Sequence, residues 1–374
     1  MTVTVEEINT FSGIAEIRPA WLTLRQAVGE SNVYTHPDWI SAWQHLPSTG
    51  KPIILAARDG ETLLGVAALH IRKSRYRGIP LRRIEFIGDF PLNDFLAKDR
   101  REEVVRAFLG RLCGEGRAWD VMDLTRIDQG SASLALIREG IRDFHSWVYE
   151  DDDCPRGICV VDDWDTFLER RTRSFRSDMR RGAKKSKRLG NLSIRRYSGL
   201  EDRFGEGDSE EKLEGLLRDT IACAGKSWQG QSVEGTAISD EYAYRFFREV
   251  IHSFACMDML LFHVLYDESR PIAFDLSFFE GRTIMEYKVG FDQGFKYYGP
   301  GSHLLMQLLE YAAAKGFERV DLMSIEEGQD YKRRYVDKIC ETRRITVFNR
   351  TVNGRLARLA MKEIVPRVKR LVGR

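Results

Sequence analysis

The residues that could do chemistry begin with a glycine-rich turn in the last third of the chain, Tyr297 to His303, which reads YYGPGSH. An apolar run typical of a strand precedes it, and a helical pattern follows it and ends at Gly316. A helix start leaves backbone N–H groups unpaired and carries a partial positive charge. The glycines let an anion approach the backbone without meeting a Cβ atom. The turn therefore predicts an anion-binding site, although Pro300 removes one donor. An ordinary loop-to-helix turn is the alternative.

Two acidic residues interrupt the apolar strands that precede this turn. Asp275 lies in the run IAFDLSFF, and Glu286 lies in RTIMEYKVGF. Charges in central strands are costly unless they are paired or used, so both acids are candidates for a general base. Strand alternation places Glu286 and Lys288 on one face, so an ion pair of either acid with Lys288 is an equally good interpretation. His303 is a third candidate, although a histidine at a helix start more often caps or packs.

Four further residues could protonate a departing group or bind an acceptor. Tyr331, in the segment QDYKRRY, could protonate a leaving group, and a core tyrosine is the alternative. Its neighbour Lys332 could meet a phosphate or carboxylate of a substrate, although basic clusters are more often solvated. Lys226 and Trp228 lie in a predicted loop, where a tryptophan can stack on a sugar or simply pack.

The elements that must position these residues fall into two halves. A polar, turn-prone junction near 151–157 predicts a first domain at 1–153 and a second at 154–350, followed by a basic helix at 351–374. The predicted strands are Lys51–Arg58, Thr62–Arg72, Ile84–Gly88 and Val121–Leu124 in the first domain, and Gly157–Val161, Leu192–Tyr197, Leu260–Tyr266, Ile272–Phe279, Thr283–Phe291, Arg319–Met323 and Arg344–Asn349 in the second. Mixed, mostly antiparallel sheets flanked by helices indicate the α+β class.

Two segments are strongly basic. Ten Lys or Arg residues fall within Arg170–Arg188, on a predicted helix from Trp164 to Leu189 whose apolar stripe is narrow. The helix could be a solvated face, or it could bind an anionic acceptor, a membrane or RNA. We favour an anionic acceptor or a membrane over RNA, because aromatic residues are not interleaved with the charges. The tail, Arg355–Arg374, predicts a basic amphipathic helix that lies on an anionic membrane or packs on the second domain.

Composition limits the class of protein. Hydrophobic residues make up 43% of the 374 positions, and the net charge is +2. These values argue against disorder and give no reason to expect a DNA partner. The six cysteines show no spacing typical of zinc ligands, so we expect neither a metal site nor a disulfide framework. There is no secretory signal and no apolar run that could span a bilayer, which predicts a cytoplasmic protein with peripheral membrane contact at most.

Four segments, taken in order, carry a resemblance to a known family: RSFRSDMRRGAKKSKRL, KSW, VGFDQGFKYYGPGSHLL and DLMSIEEGQDYKRRY. They resemble the CelD/BcsL-type acetyltransferases, a branch of the GNAT superfamily found near bacterial polysaccharide-synthesis genes. The resemblance implies two GNAT-like domains, related in architecture to the Fem peptidyltransferases, with the acyl-CoA site in the second. GNAT enzymes usually carry an Arg or Gln ahead of the Gly-x-Gly, and this chain lacks it.

The resemblance implies an acyl-CoA-dependent N- or O-acyltransferase of polysaccharide, cellulose or envelope biosynthesis, acting on a sugar, amino-sugar, small-molecule or glycan acceptor. Acetyl-CoA or another acyl-CoA would be held by Tyr298, Gly299, Gly301, Ser302 and His303. The catalytic candidates are Asp275, Glu286 and Tyr331, and the substrate-binding candidates are Lys226, Trp228, Lys288 and Lys332. Two alternatives are a non-catalytic binding protein of such a pathway and an aminoacyl-tRNA-dependent transferase, as in the Fem relatives.

Overall fold

The computed structural model describes residues 2–29, 32–88, 92–114, 118–144, 147–186, 188–228, 238–325 and 329–364. The chain forms two compact units. The first unit comprises Met1–Cys154 and Glu341–Arg374, and the second unit comprises Pro155–Cys340. Each unit contains one mixed sheet flanked by helices, which confirms the predicted α+β class.

The strands of the described ranges, in chain order, are β1 (Thr4–Ile8), β2 (Lys51–Asp59), β3 (Thr62–Tyr76), β4 (Ile79–Phe86), β5 (Leu96–Ala97), β6 (Val121–Asp128), β7 (Val148–Asp152), β8 (Arg156–Val160), β9 (Leu192–Ser198), β10 (Leu260–Asp267), β11 (Arg270–Glu280), β12 (Thr283–Phe291), β13 (Arg319–Ser324), β14 (Lys338–Cys340) and β15 (Thr342–Phe348). The helices are α1 (Ile14–Val28), α2 (Pro37–Ala42), α3 (Arg101–Cys113), α4 (Ala132–Phe144), α5 (Trp164–Glu169), α6 (Arg173–Ser186), α7 (Ser209–Ala224), α8 (Glu241–Cys256), α9 (Pro300–Ala314) and α10 (Val352–Arg358).

The sheet of the first unit has the order β1-β2-β3-β4-β6-β15-β7, with β5 paired to β3. Its core lies between the sheet and the helices α3 and α4. The assignment of the last strand to the second domain was wrong, because β15 pairs with β6 and β7 of the first unit. Alternating apolar side chains at Ile345 and Val347 cover the first unit's core. Such alternation indicates a half-buried strand but does not reveal which sheet it joins.

The sheet of the second unit has the order β14-β8-β13-β12-β11-β10-β9. Its strands β9 to β12 form an antiparallel run, and β12 and β13 are parallel. The parallel pairing covers only Thr283–Met285 of β12, although this strand continues to Phe291. The sheet therefore opens beside the second half of β12, on the side from which α9 approaches.

The long basic helix predicted from Trp164 to Leu189 is two helices, α5 and α6. The Thr172 hydroxyl accepts a hydrogen bond from the N–H of Phe175 at 3.1 Å, so it caps the start of the second helix. A capping threonine within a basic run was overlooked in the sequence. The predicted apolar stripe is confirmed where Phe167 and Phe175 are buried in the core of the second unit.

The basic helix expected at 351–374 is seen as α10 followed by a π-helical turn at Leu359–Ile364, and residues 365–374 lie outside the described ranges. This segment packs on the first unit, where Ala357 is buried against Leu81 and Phe348. Its expected packing on the second domain was wrong for the described part. Within the described ranges, no helix is long and apolar enough to cross a membrane.

Candidate active site

The predicted anion-binding turn lies at the start of α9. Gly299 has a φ of +67°, which favours glycine, and Pro300 begins the first turn of the helix. The N–H of His303 bonds to the Gly299 carbonyl at 3.0 Å. Helix geometry leaves the N–H groups of Gly301 and Ser302 without an acceptor inside the helix. Two donors of the turn therefore point outward, as an anion-binding site requires.

Two contacts fix the loop that leads into this turn. The Asp292 carboxylate accepts the N–H of Gly294 at 2.9 Å and pairs with Arg270 at 2.7 Å. At the other end of the loop, the Ser186 hydroxyl of α6 donates to the Tyr298 carbonyl at 3.3 Å. The start of α9 is therefore held in place from both β11 and α6.

A cavity of about 470 Å³, which we call the acidic cavity, lies between β11, β12 and the start of α9. Its polar lining residues are Asp275, Glu286, Ser302, Gln329, Tyr331 and Lys332, and its other lining residues are Trp228, Phe274, Val289, Gly290, Phe291, Gly301, Leu304 and Leu305. The structure thus brings together the three catalytic candidates and part of the predicted anion-binding turn. An apolar pocket with a few convergent polar groups is typical of a small-molecule site.

A β-bulge turns the acids toward this cavity. Ser277 of β11 pairs with Glu286 of β12, whereas the preceding Leu276 pairs with Lys288, so one residue of β12 is skipped. Residues paired across an antiparallel ladder share a face, and therefore Glu286 shares a face with Ser277 and Asp275. Lys288 points to the opposite face. The predicted common face of Glu286 and Lys288 was wrong, and Lys288 does not line the acidic cavity.

Asp275, Glu286 and Lys332 form a buried cluster at the floor of the cavity, each no more than 6% exposed. The Lys332 ammonium lies 3.4 Å from Glu286 Oε2. Asp275 accepts a hydrogen bond from the Ser277 hydroxyl and donates one to Glu286. The two acids are therefore joined by a shared proton, and the lysine balances the charge that is left.

The pKa values of the two acids indicate where that proton lies. Burial raises the pKa of Asp275 well above its ordinary value, and the neighbouring charge of Glu286 raises it further. Burial also raises the pKa of Glu286, but the Lys332 ammonium and the hydrogen bond from Asp275 oppose that rise. Asp275 therefore holds the proton, and Glu286 is the ionised member that can accept another.

Lys332 was predicted to bind substrate, but its ammonium is already occupied. In addition to Glu286, it has the carbonyl oxygens of Leu322 at 2.6 Å and Ser324 at 3.4 Å as acceptors. An ammonium has three N–H donors, and three acceptors surround this one. Lys332 thus ties the end of β13 to the ionised carboxylate, which favours a supporting role over direct contact with substrate.

Tyr331 lies at the rim of the acidic cavity, where its side chain remains partly exposed. Partial burial raises the pKa of its phenol above the ordinary value, and the charge of Glu286 acts in the same direction. The phenol therefore stays protonated at neutral pH. Such a group can donate a hydrogen bond or a proton to a ligand in the cavity.

A second cavity of about 600 Å³, the basic cavity, lies on the outer side of the start of α9. Its charged lining residues are Asp178, Arg181 and Lys185 of α6, together with Lys296, Glu310 and Arg334. Ser302 lines both cavities, and Gly299 and His303 line this one. Burial lowers the pKa of His303, so its imidazole is neutral at physiological pH. Cations outnumber carboxylates here, which suits a polyanionic ligand.

The predicted acceptor loop is only partly in the site. Trp228 lines the acidic cavity, and its side chain is exposed. The Lys226 side chain is exposed and is not part of the cavity lining, but its carbonyl accepts the N–H of Gln293 at 3.1 Å. Sequence reasoning missed Gln329 and Phe274. A polar residue two positions before Tyr331 was the available signal for Gln329.

The first unit also has a parallel pair of strands, β4 and β6. A segment of the same unit lies beside this pair. Asn93 forms a parallel bridge with Ile127 of β6, and its N–H bonds to the Arg126 carbonyl at 2.9 Å. Phe95 follows and stacks edge-on against Phe108 in the core. A segment of the first unit itself therefore lies beside β6.

In a comparison with known protein families, residues 173–333 match the model described as an acetyltransferase (GNAT) domain. This match lies within the second unit. No curated protein sequence matches this chain. The fold is similar to the crystal structure of FemX, with a TM-score of 0.59 and 11% identity over 96% of this chain and 100% of that one.

Two further structures are similar in fold. One is L-PGS from Bacillus licheniformis, with a TM-score of 0.55 and 13% identity over 95% of this chain and 97% of that one. The other is the C-terminal domain of a protein named as a lysylphosphatidylglycerol synthetase from Agrobacterium fabrum, with a TM-score of 0.56 and 10% identity over 93% and 96% of the two chains. At these identities the likeness concerns the fold alone.

Proposed function

We propose that the chain transfers an acyl group from an acyl-CoA to the amine or hydroxyl of a small acceptor, because residues 173–333 match the family model described as an acetyltransferase (GNAT) domain. The CelD/BcsL resemblance suggests a sugar or amino-sugar of polysaccharide or envelope biosynthesis as the acceptor. The observation that carries the proposal is the buried cluster of Asp275, Glu286 and Lys332 beneath the helix start that could hold the donor.

In the proposed reaction, Glu286 accepts the proton of the acceptor as its nitrogen or oxygen forms a bond to the thioester carbon. The C–S bond then breaks, and the Tyr331 hydroxyl protonates the departing thiolate. Asp275 keeps its own proton and orients Glu286 through their hydrogen bond. Lys332 keeps Glu286 ionised between turnovers. The apolar walls of the cavity exclude water, which would otherwise compete as the acceptor.

The residues around the start of α9 fit the phosphates of an acyl-CoA. The N–H groups of Gly301 and Ser302 would donate to a phosphate, as helix starts commonly do. Lys185 and Lys296 of the basic cavity would neutralise its charge. The acyl group would then enter the acidic cavity past Ser302, which lines both cavities. We expect one donor site per chain, because the family match at 173–333 lies within the second unit.

An aminoacyl-tRNA is the second candidate donor. The basic cavity lies along α6, whose exposed cations Arg180 and Lys184 extend the positive surface beyond the cavity. A donor with a long phosphate backbone would use this extended surface, whereas an acyl-CoA would need only the cations of the cavity. The two donors are therefore distinguished by which lysines of α6 affect binding.

Titration calorimetry with acetyl-CoA, with longer acyl-CoAs and with charged tRNA tests the proposal. We expect one acyl-CoA to bind per chain, and we expect Lys185→Ala to weaken binding by about tenfold through loss of a charge-assisted contact. Lys184→Ala is the matched control, because Lys184 is exposed on the same helix but does not line the cavity. Failure of every CoA species to bind would rule out the donor assignment. Binding of charged tRNA alone, weakened by both substitutions, would favour the second candidate.

A further inference from the structure

One surface of the first unit exposes large apolar side chains. Val352, Leu356 and Leu359 are 74%, 46% and 41% exposed. Their spacing of four and three residues places them on one side of α10 and the turn after it. On the opposite side, Gly354 and Ala357 are buried and hold the helix against the sheet. The apolar side chains are therefore presented outward on a helix that is anchored from behind.

Basic residues lie beside this apolar stripe. At the turn of the β3–β4 hairpin, Arg77 is exposed and its guanidinium lies 6.0 Å from the centre of the Tyr76 ring. The same hairpin packs under α10, since Tyr76 lies against the apolar cluster that contains Ala357. Arg77 is therefore held near α10, whereas Lys73 and Arg75 alternate with Tyr76 along β3 and point to the other face of the sheet.

The cations of α10 itself are held in fixed positions. The guanidinium groups of Arg355 and Arg358 lie 6.0 and 4.8 Å from the centre of the Trp147 ring. The exposed Arg77 and Arg350 add to these two arginines, and segment 350–361 contains neither Asp nor Glu. The surface therefore combines an outward apolar stripe with positively charged side chains.

We propose that this surface, formed by Val352, Leu356 and Leu359 with Arg77, Arg350 and Arg355, docks the protein on an anionic lipid bilayer. Negative headgroups would meet the arginines while the three apolar side chains enter the layer below the headgroups. RNA would satisfy the charges but leave the apolar stripe uncovered. The proposal does not rest on acyl transfer, because every residue it uses lies in the first unit.

Flotation of the full chain with vesicles tests this docking. Vesicles of phosphatidylcholine alone are compared with vesicles that also contain phosphatidylglycerol, at low salt and at about 0.5 M salt. The Leu356→Ser/Leu359→Ser variant removes apolar contact, and the Arg77→Glu/Arg350→Glu variant reverses two charges. Leu200→Ser and Arg203→Glu are matched controls, since both residues are exposed in the second unit.

We expect the wild-type protein to float only with the anionic vesicles and to be released by salt. Each basic residue near an anionic surface strengthens binding by about fivefold, so reversal of two charges should weaken it at least ~25-fold. The leucine variant should weaken binding by about tenfold. Failure to float with anionic vesicles, or binding by both variants that equals the controls, would overturn the proposal. So would a dimer in solution that the leucine variant dissociates, because this surface would then be a protein interface.

Discussion

Replacement of Lys332 by methionine tests whether Glu286 is the ionised member of the buried cluster. The substitution keeps the length of the side chain and removes the cation that lies 3.4 Å from the Glu286 carboxylate. It also leaves the carbonyl oxygens of Leu322 and Ser324 without this donor, which costs about 1–3 kcal/mol at every pH. The loss of the charge, in contrast, lowers the free energy of unfolding only at pH values where Glu286 is ionised.

The size of the pH-dependent part follows from the distance. Two unit charges 3.4 Å apart interact by about 5 kcal/mol at an effective dielectric constant of about 20. Loss of that attraction raises the pKa of Glu286 further above its ordinary value. The hydrogen bond with Asp275 reduces this rise in the pKa of Glu286, because the two acids share a proton and titrate together. We therefore expect the variant to lose about 1–4 kcal/mol more stability at high pH than at low pH.

The sign follows from the direction of the shift. A carboxyl group whose pKa is raised by folding adds stability below its unfolded pKa, and this stability is lost as pH rises through the folded pKa. Burial already raises the pKa of Glu286 in the wild type, and loss of Lys332 raises it further. The free energy of unfolding of the variant should therefore fall more steeply than that of the wild type between about pH 5 and pH 8.

Urea unfolding of both proteins at the two pH values measures this difference without knowledge of the acceptor. Lys338→Met is the control, because Lys338 is exposed on β14 of the same unit. It should change the free energy of unfolding by less than about 0.5 kcal/mol, with no dependence on pH. An equal loss of stability in the Lys332 variant at both pH values would refute the ionised pair, and with it the choice of Glu286 as the base.

Three further predictions concern the same cavity. Glu286→Gln should lower kcat for acyl transfer by about 100- to 10,000-fold, while thermal melting shows that the fold is retained. Asp275→Asn should lower kcat less, because asparagine still donates a hydrogen bond to Glu286. Equal losses of kcat in the two variants would contradict these roles. Gly290→Ala should destabilise the chain by about 1–3 kcal/mol in urea, because its Cβ would lie 2.6 Å from the Phe274 ring, and an unchanged midpoint would argue against this packing. Tyr331→Phe should lower kcat but not acyl-CoA affinity in calorimetry; unchanged kcat would exclude the tyrosine as the acid.

The sequence by itself determined the order of elements around the site. Strand β12 was predicted with the bounds that the structure shows, and β10, β11 and β13 to within a few residues. The glycine-rich turn at 297–303 marked the start of α9 to within a few residues, because the helix was expected to follow the turn and begins within it at Pro300. These features depend on local chemistry. The spacing of hydrophobic residues, a glycine with a left-handed φ and a proline in the first turn of a helix each act over only a few residues. Asp275 and Glu286 were found because a charge in an apolar strand is unusual whatever the partner.

The tertiary structure decided which groups meet. A bulge in β12 turned Glu286 toward Asp275 and away from Lys288, and no local pattern in RTIMEYKVGF indicates the skipped residue. Lys332 became the partner of Glu286 because β13 returns beside β12, which brings together residues that are distant in the chain. The last strand, β15, joined the first unit for the same reason. Contacts between distant segments depend on how elements pack, and a single sequence records only that each element has an apolar face to cover.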